Sequence, residues 1–109
     1  MRGMGNMGNM GEIMRKAQKM QEEFAKMQEE LKKKEVEASA GGGAVTVRAN
    51  GSKQVLSIVI DKELVASGDV DMIQDLVTAA VNEALNKAQE TVDAESKKIT
   101  GGMNMPGLF

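Results

Sequence analysis

The sequence predicts an α+β fold in which a long helix, a three-stranded antiparallel meander, a short helical turn and a second long helix follow one another. Two changes of apolar period predict this order. Apolar residues first recur every three or four positions, then alternate with polar ones, and finally return to the helical period. A chain of 109 residues has room for one domain. We therefore predict a single domain over residues 1–109, with flexible tails at residues 1–9 and 101–109.

The first helix is predicted by an apolar seam whose steps alternate between three and four residues, as in a heptad repeat. Three Glu–Lys pairs at a spacing of four residues support a helix from about Met10 onward. The residues before Met10 are rich in Gly and show no pattern that would form a core, so they are assigned to the tail. The seam consists of Met10, Ile13, Ala17, Met20, Phe24, Met27 and Leu31, and the pairs are Glu12–Lys16, Glu22–Lys26 and Glu29–Lys33.

The centre of the chain predicts three antiparallel strands. Alternating residues at 35–40 and 45–49 predict two half-exposed strands joined by a turn at residues 41–43, which are all Gly. The Asn50-Gly51 dipeptide is typical of a β-hairpin and leads into a third strand. That strand, residues 55–60, is apolar at nearly every position, so we expect it to be buried on both faces.

The second half of the chain predicts a short turn and a long helix. Asp61 is expected to end the sheet and cap a helical turn from Lys62 to Ala66. Asp69 is expected to be the N-cap of a helix from Val70 to about Lys98. A wide apolar stripe supports this helix, and the glycines at positions 101 and 102 are expected to stop it.

Helix lengths point to an elongated homodimer. At ~1.5 Å per residue the two helices would be about 34 and 43 Å long, more than a compact domain of this size can cover. Val55, Ser57 and Val59 would also form a second sheet face that needs cover. A symmetric dimer from which the helices protrude satisfies both needs, and a loosely packed monomer is the alternative.

Composition argues against an enzyme. The chain has no His and no Cys, so it lacks imidazole and thiolate chemistry. The glycines at 41–43 lack the Lys-Ser/Thr of a phosphate loop, and Asp69, Asp71 and Asp75 lack the spacing of a calcium loop. We therefore expect no catalytic residue, no cofactor, no metal and no small-molecule substrate. Without a membrane span or a secretory signal, a soluble cytoplasmic protein is expected.

Charge is segregated along the chain. Residues 1–34 hold eight basic and five acidic side chains, whereas residues 35–109 hold six and eleven. On the first helix Lys19, Lys26 and Lys33 recur every seven residues and, with Arg15 and Lys16, could track phosphates. The alternative is a solvated face of mixed charge, because glutamates lie close by. If the two helices pair antiparallel, Lys97 and Lys98 would lie at the same tip as Arg15.

The order of elements and four segments together resemble the YbaB/EbfC family of bacterial nucleoid-associated proteins. The segments read GEIMRKAQKMQEEFAKMQEEL, VLSIVIDKEL, DLVTAAVNEALNKAQE and ITGGMNMPGLF. The resemblance covers essentially the whole chain. It implies a homodimer joined through central sheets and located in the cytoplasm and nucleoid. This dimer would bind double-stranded DNA with low sequence specificity through protruding, tweezer-like helix pairs. The DNA-contacting residues that it implies here are Arg15, Lys16, Lys19, Lys26, Lys97 and Lys98.

Two functions follow from these observations. The first is a non-enzymatic, homodimeric DNA-binding protein that acts in nucleoid organisation or gene regulation. The second is a protein–protein adaptor that grips partner helices with its Met-rich seam and its tails, with DNA binding incidental.

Overall fold

The computed structural model describes residues 2–101, with side chains from residue 9 onward, and it confirms the predicted α+β fold and element order. The short helix and its N-cap are as expected, because the Asp61 carboxylate accepts a hydrogen bond from the backbone N–H of Glu63. The elements are α1 (Arg2–Lys33), β1 (Glu35–Ala40), β2 (Val45–Asn50), β3 (Val55–Ile60), α2 (Lys62–Ala66) and α3 (Val70–Thr100).

The three strands form one antiparallel sheet in the order β1-β2-β3, so both predicted hairpins are present. The glycines between β1 and β2 have φ values of 65°, 66° and 95°, in the left-handed region that side chains disfavour. A Cβ atom at Gly41 would also lie 2.9 Å from the Leu76 side chain of α3. The triple glycine therefore makes a turn that α3 approaches closely, and not a phosphate cradle.

The core lies between one face of the sheet and α3. Val45 and Val47 of β2 are fully buried, and they share one core cluster with two of the three fully buried alanines of α3, Ala80 and Ala84. These alanines, Ala80, Ala84 and Ala88, recur every four residues and so share one face of the helix. Because alanine has only a methyl group, the helix backbone can lie close to the strands.

Substituting a larger residue into this alanine face should destabilise the fold. Ala84→Leu is expected to lower the free energy of unfolding by about 1–3 kcal/mol, because three extra carbon atoms would overpack the contact between α3 and the sheet. Ala79→Leu is the matched control, since Ala79 is exposed on the same helix. Urea titrations at equal protein concentration measure both changes, and an equal effect of the two would contradict the packing described here.

The expectation that the third strand is buried on both faces is wrong for the single chain. Val55, Leu56, Ile58 and Val59 are 42–61% exposed. The sheet order places β3 at an edge, and α3 crosses β1 and β2 while barely touching β3. A continuous apolar strand thus lies at the surface of the protomer.

The helix ends differ from the expected tails. α1 begins at Arg2 and not at Met10, so the backbone of most of the predicted N-terminal tail is helical. Once a helix has formed, each added residue contributes one more hydrogen bond, which lets it continue into a segment of low propensity. α3 ends at Thr100, directly before Gly101, two residues beyond the expected end. The rest of the predicted C-terminal tail, residues 102–109, lies outside the described residues, and the mobility of both tails stays a prediction.

The single chain is elongated, as the helix lengths predicted. Its extents are 79 × 25 × 17 Å and its radius of gyration is 21.4 Å, against about 13 Å for a compact domain of 100 residues. The long dimension comes from an arm that α1 forms together with the C-terminal half of α3, while the N-terminal half of α3 packs on the sheet.

Candidate nucleic-acid interface

The arm is held together where the predicted seam of α1 meets α3. Leu31 is 3% exposed, and Met20, Phe24 and Met27 are half-buried. The Ser96 hydroxyl donates to the sulfur of Met27 at 3.8 Å, which places the C-terminal half of α3 beside this part of α1. The base of the arm is therefore a two-helix structure with a small apolar interior.

Towards the N-terminus the seam is not covered. Met10 and Ile13 are 59% and 64% exposed, so the heptad packs only in its C-terminal part. Thr100, the last residue of α3, lies four residues beyond Ser96 and so falls beside Glu23, four residues before Met27. In the described part of the chain, α1 alone forms the end of the arm.

A three-residue ion-pair cluster joins α1 to α3. The Glu95 carboxylate of α3 accepts a hydrogen bond from Lys34, which directly follows α1. It accepts a second hydrogen bond from Lys98, at 3.1 Å. These two ammonium groups lower the pKa of the Glu95 carboxyl below its ordinary value. The sequence shows the Glu95–Lys98 spacing, but the contact with Lys34, 61 positions away, depends on tertiary packing.

The Glu95 cluster gives the arm a pH dependence with a defined sign. Because its pKa is lower in the folded state, Glu95 stabilises the fold above the ordinary glutamate pKa near 4.5 and loses this effect as the pH falls through the folded value. NMR of the Glu95 carboxyl group in the native protein should give a titration midpoint below the ordinary glutamate pKa. Replacing Lys34 and Lys98 by methionine should raise this midpoint towards the ordinary glutamate pKa. An unchanged midpoint would show that the two lysines do not lower the pKa of Glu95.

Three of the six predicted DNA-contacting residues share one face of α1. Arg15, Lys19 and Lys26 are separated by four and seven residues, which keeps their side chains within about 40° around the helix axis. All three are exposed, and this face is turned away from the seam. Lys16 is also exposed and lies about 100° around the axis from Arg15.

The part of the arm between Glu12 and Glu22 is basic. Between Glu12 and Glu22 the only charged residues are Arg15, Lys16 and Lys19. Within residues 9–101, none of these three has a carboxylate within ion-pair distance, and Glu29 contacts Lys32 at 3.7 Å instead of its expected partner Lys33. The predicted Glu12–Lys16 and Glu22–Lys26 pairs are likewise not formed in this part of the chain. The segment that extends beyond α3 thus presents three unneutralised cations.

The last two predicted residues lie elsewhere on the arm. Counting from the contact between Ser96 and Met27, Lys97 and Lys98 fall at the level of Lys26. Arg15 is eleven residues from Lys26, which is about 16 Å along the helix. The expectation that Lys97 and Lys98 share a tip with Arg15 is therefore wrong, because α3 ends too early. Lys97 is exposed, whereas Lys98 is paired with Glu95.

Other candidate sites have structural roles in the described residues. The Asp69 carboxylate accepts a hydrogen bond from the backbone N–H of Met72 at 3.1 Å, so it caps α3 as predicted. Over residues 9–101 no three carboxylates lie close enough together to hold a metal ion. None of the helices in the described ranges combines the length and the apolar character that a membrane span requires.

Comparison with known proteins agrees with this architecture. The chain is 56% identical over 107 residues to a nucleoid-associated protein of Alkaliphilus metalliredigens, covering 98% of this chain and 94% of the relative. It is 58% identical over 103 residues to a nucleoid-associated protein of Acetivibrio thermocellus, covering 94% and 91%. The crystal structure of an uncharacterized protein from Helicobacter pylori is similar, with a TM-score of 0.71 and 25% identity, over 78% of this chain and 89% of that one. Residues 7–103 match the family model described as the YbaB/EbfC DNA-binding family, and the chain belongs to that family.

Proposed function

We propose that the chain is a non-enzymatic homodimer that binds double-stranded DNA through its arms with low sequence specificity. The observation that carries the proposal is the basic segment of α1 between Glu12 and Glu22. Arg15, Lys16 and Lys19 are exposed, have no carboxylate partner in the described residues, and stand on the part of α1 that projects beyond α3. A DNA duplex can therefore approach them without breaking an ion pair, although Arg15 also donates to the Gly11 carbonyl of its own helix at 3.4 Å.

Low sequence specificity follows from the chemistry of these side chains and their surroundings. Lysine and arginine on long flexible stems neutralise phosphates, which are the same at every base pair, so such contacts fix position without reading sequence. The chain has no Trp or Tyr that could stack on unpaired bases. Duplex DNA, with its dense and regular phosphates, is the ligand that fits this surface.

The exposed third strand supports the homodimer. Val59 is 61% exposed and Leu56 is 46% exposed on β3, an edge strand whose outer side has no partner strand among residues 2–101. Exposed apolar edge strands are normally covered, since they otherwise promote aggregation. A second copy that covers β3 would place the two sheets together and leave both arms free.

Two arms would act together on one duplex. After the first arm binds, the second meets DNA at a high effective concentration, so the dimer binds more tightly than a single arm. The same geometry would let one dimer bend a duplex or join two DNA segments. Such activities suit a role in nucleoid organisation or gene regulation in the cytoplasm, and the nucleoid-associated relatives described above support this location.

A salt titration tests the proposed function. An electrophoretic shift assay with unrelated duplexes of equal length should give similar affinities. The logarithm of the binding constant should fall steeply with the logarithm of the salt concentration, with a slope of roughly −0.9 for each phosphate contacted. Sedimentation of the free protein should give the mass of a dimer. Salt-independent binding, or no binding near 50 mM salt, would refute the proposal.

One observation favours the adaptor as a second candidate. Met10, Ile13 and Met14 are about 60% exposed and leave an apolar stripe next to the basic segment. Methionine adapts its shape to different apolar surfaces, and a partner helix could pack on such a stripe. The adaptor predicts partners that survive nuclease treatment in a pull-down and are lost when Ile13 is replaced by Asp. If nuclease removes every partner, the adaptor is excluded.

A further inference from the structure

The loop between β2 and β3 contacts the C-terminal end of α1. The backbone N–H of Gly51 donates to the carbonyl oxygens of both Leu31 and Lys34, at 2.8 and 2.9 Å. The last carbonyl groups of a helix have no partner within the helix and must find one elsewhere. The Leu31 carbonyl accepts from the backbone N–H of Lys34, at 3.2 Å, as well as from the β2–β3 loop, and the bond to the loop attaches the base of the arm directly to the sheet.

Asn50 connects the loop to the helix through its side chain. It is 3% exposed, and its amide nitrogen donates to the Lys32 carbonyl at 3.3 Å and to the Gln54 side chain at 2.9 Å. Its side-chain oxygen accepts from the backbone N–H groups of Ser52 and Gln54, at 3.0 and 3.1 Å. The oxygen shapes the loop, and the nitrogen joins that loop to the last turn of α1.

Gly51 is needed for a close approach and not for the conformation of the turn. The residue with positive φ in this loop is Lys53, at 63°, whereas Gly51 is not in the left-handed region. A Cβ atom at Gly51 would lie 2.7 Å from a Leu31 methyl carbon and 2.8 Å from the Leu31 carbonyl oxygen. Since one of these atoms belongs to the backbone, any side chain at position 51 would have to push the end of α1 away.

We infer that the β2–β3 loop is the joint that sets the direction of the arm, and that Asn50 and Gly51 are positioning residues for the DNA-binding surface. The functional part of this inference rests on the proposed function. Arg15 is sixteen residues from Leu31, about 24 Å along the helix, so a tilt of roughly 10° at the joint moves it by about 4 Å. This displacement is similar to the ~3.4 Å rise between successive phosphates on one DNA strand. Small changes at the joint therefore misplace the cations relative to the phosphates.

Distance measurements within one protomer test the joint without DNA. The chain has no Cys, so spin labels can be attached to cysteines introduced at Gln18 on the arm and Gln74 on the sheet-packed part of α3, both exposed. The labelled protein is mixed with an excess of unlabelled protein, so that the measured distances lie within one protomer. Asn50→Asp keeps both acceptor bonds and loses both donor bonds, whereas Gly51→Ala introduces the close contact with Leu31. Ser52→Ala is the control, because only the backbone N–H of Ser52 bonds to Asn50.

The distance distribution should shift by several ångströms or broaden in Asn50→Asp and Gly51→Ala, and it should be unchanged in Ser52→Ala. Measurements are made where circular dichroism shows each variant fully folded. Asn50→Asp, which is isosteric, decides the test if Gly51→Ala does not fold. An unchanged distribution in Asn50→Asp would overturn the joint.

Duplex affinity provides the functional half of the test. It should fall about tenfold in Asn50→Asp and not in Ser52→Ala, although neither substitution touches a basic residue. If the distances change and the affinity does not, the loop directs the arm, but Asn50 does not position the DNA-binding surface. If the native chain itself fails to bind DNA, the proposed function fails, and the distances still decide whether the loop directs the arm.

Discussion

Replacing Arg15 and Lys19 by glutamate should weaken duplex binding by on the order of 100-fold near 50 mM salt, the largest effect that we expect from any pair of surface substitutions. The two residues lie one helical turn apart on the exposed face of the arm, so a dimer carries four such cations. Each lost phosphate contact also removes ~0.9 from the salt slope, so the slope should become shallower by roughly three to four. Shift assays at several salt concentrations measure both quantities.

A charge-matched control separates a local surface from a general effect of net charge. Lys62→Glu with Lys87→Glu changes the net charge by the same amount, at exposed positions on α2 and on the part of α3 that lies beside β1. This pair should alter affinity only a few-fold, through long-range repulsion that salt screens. Equal losses in the two double variants would show that the end of the arm is not the contact surface.

The second large effect is expected on the third strand. Ile58→Lys should raise the dissociation constant of the dimer at least about thirtyfold, which corresponds to about 2 kcal/mol at an interface hot spot. Ile58 is 45% exposed in the protomer, and an ammonium group introduced there would be buried without a partner if a second copy covers β3. Sedimentation over a concentration series follows the shift from dimer to monomer.

Ile13→Lys is the control for this substitution. Ile13 is 64% exposed, but it lies near the end of the arm, away from the sheet. The same chemical change should leave the oligomeric state as it is. If Ile58→Lys is tolerated equally well, β3 is not the surface that joins two copies.

Local sequence predicted most of the fold because periodicity directly reports which face of an element is covered. The short helix Lys62–Ala66 and the caps Asp61 and Asp69 were predicted at the positions where the structure has them. The third strand shows the limit of this reasoning. An apolar run requires cover, but the pattern does not say whether the cover comes from the same chain or from another.

The arm could be predicted only in part, for the same reason. The seam and the basic face of α1 follow from helical geometry, which spacing alone determines. The level at which α3 ends beside α1 depends on the packing of Met27 against Ser96, 69 positions away. The need for glycine at position 51 likewise comes from Leu31, twenty positions earlier, although the Asn-Gly pair correctly indicated a hairpin. Periodicity reports only local structure, so it cannot predict contacts between segments that are distant in the sequence.

The continuity of α3 has a mechanical consequence. This helix runs without a break from Val70 to Thr100, with its first half fixed to the sheet by the buried Ala80 and Ala84 and its second half projecting beside α1. One end of the helix is therefore held firmly by the sheet, and the other end carries any load applied to the arm. A force applied to the arm is carried as bending along a hydrogen-bonded rod into the most tightly packed part of the protein. The stiffness with which such an arm can hold or deform a bound polymer is then limited by two attachments, the alanine-lined contact of α3 with the sheet and the β2–β3 joint at the end of α1.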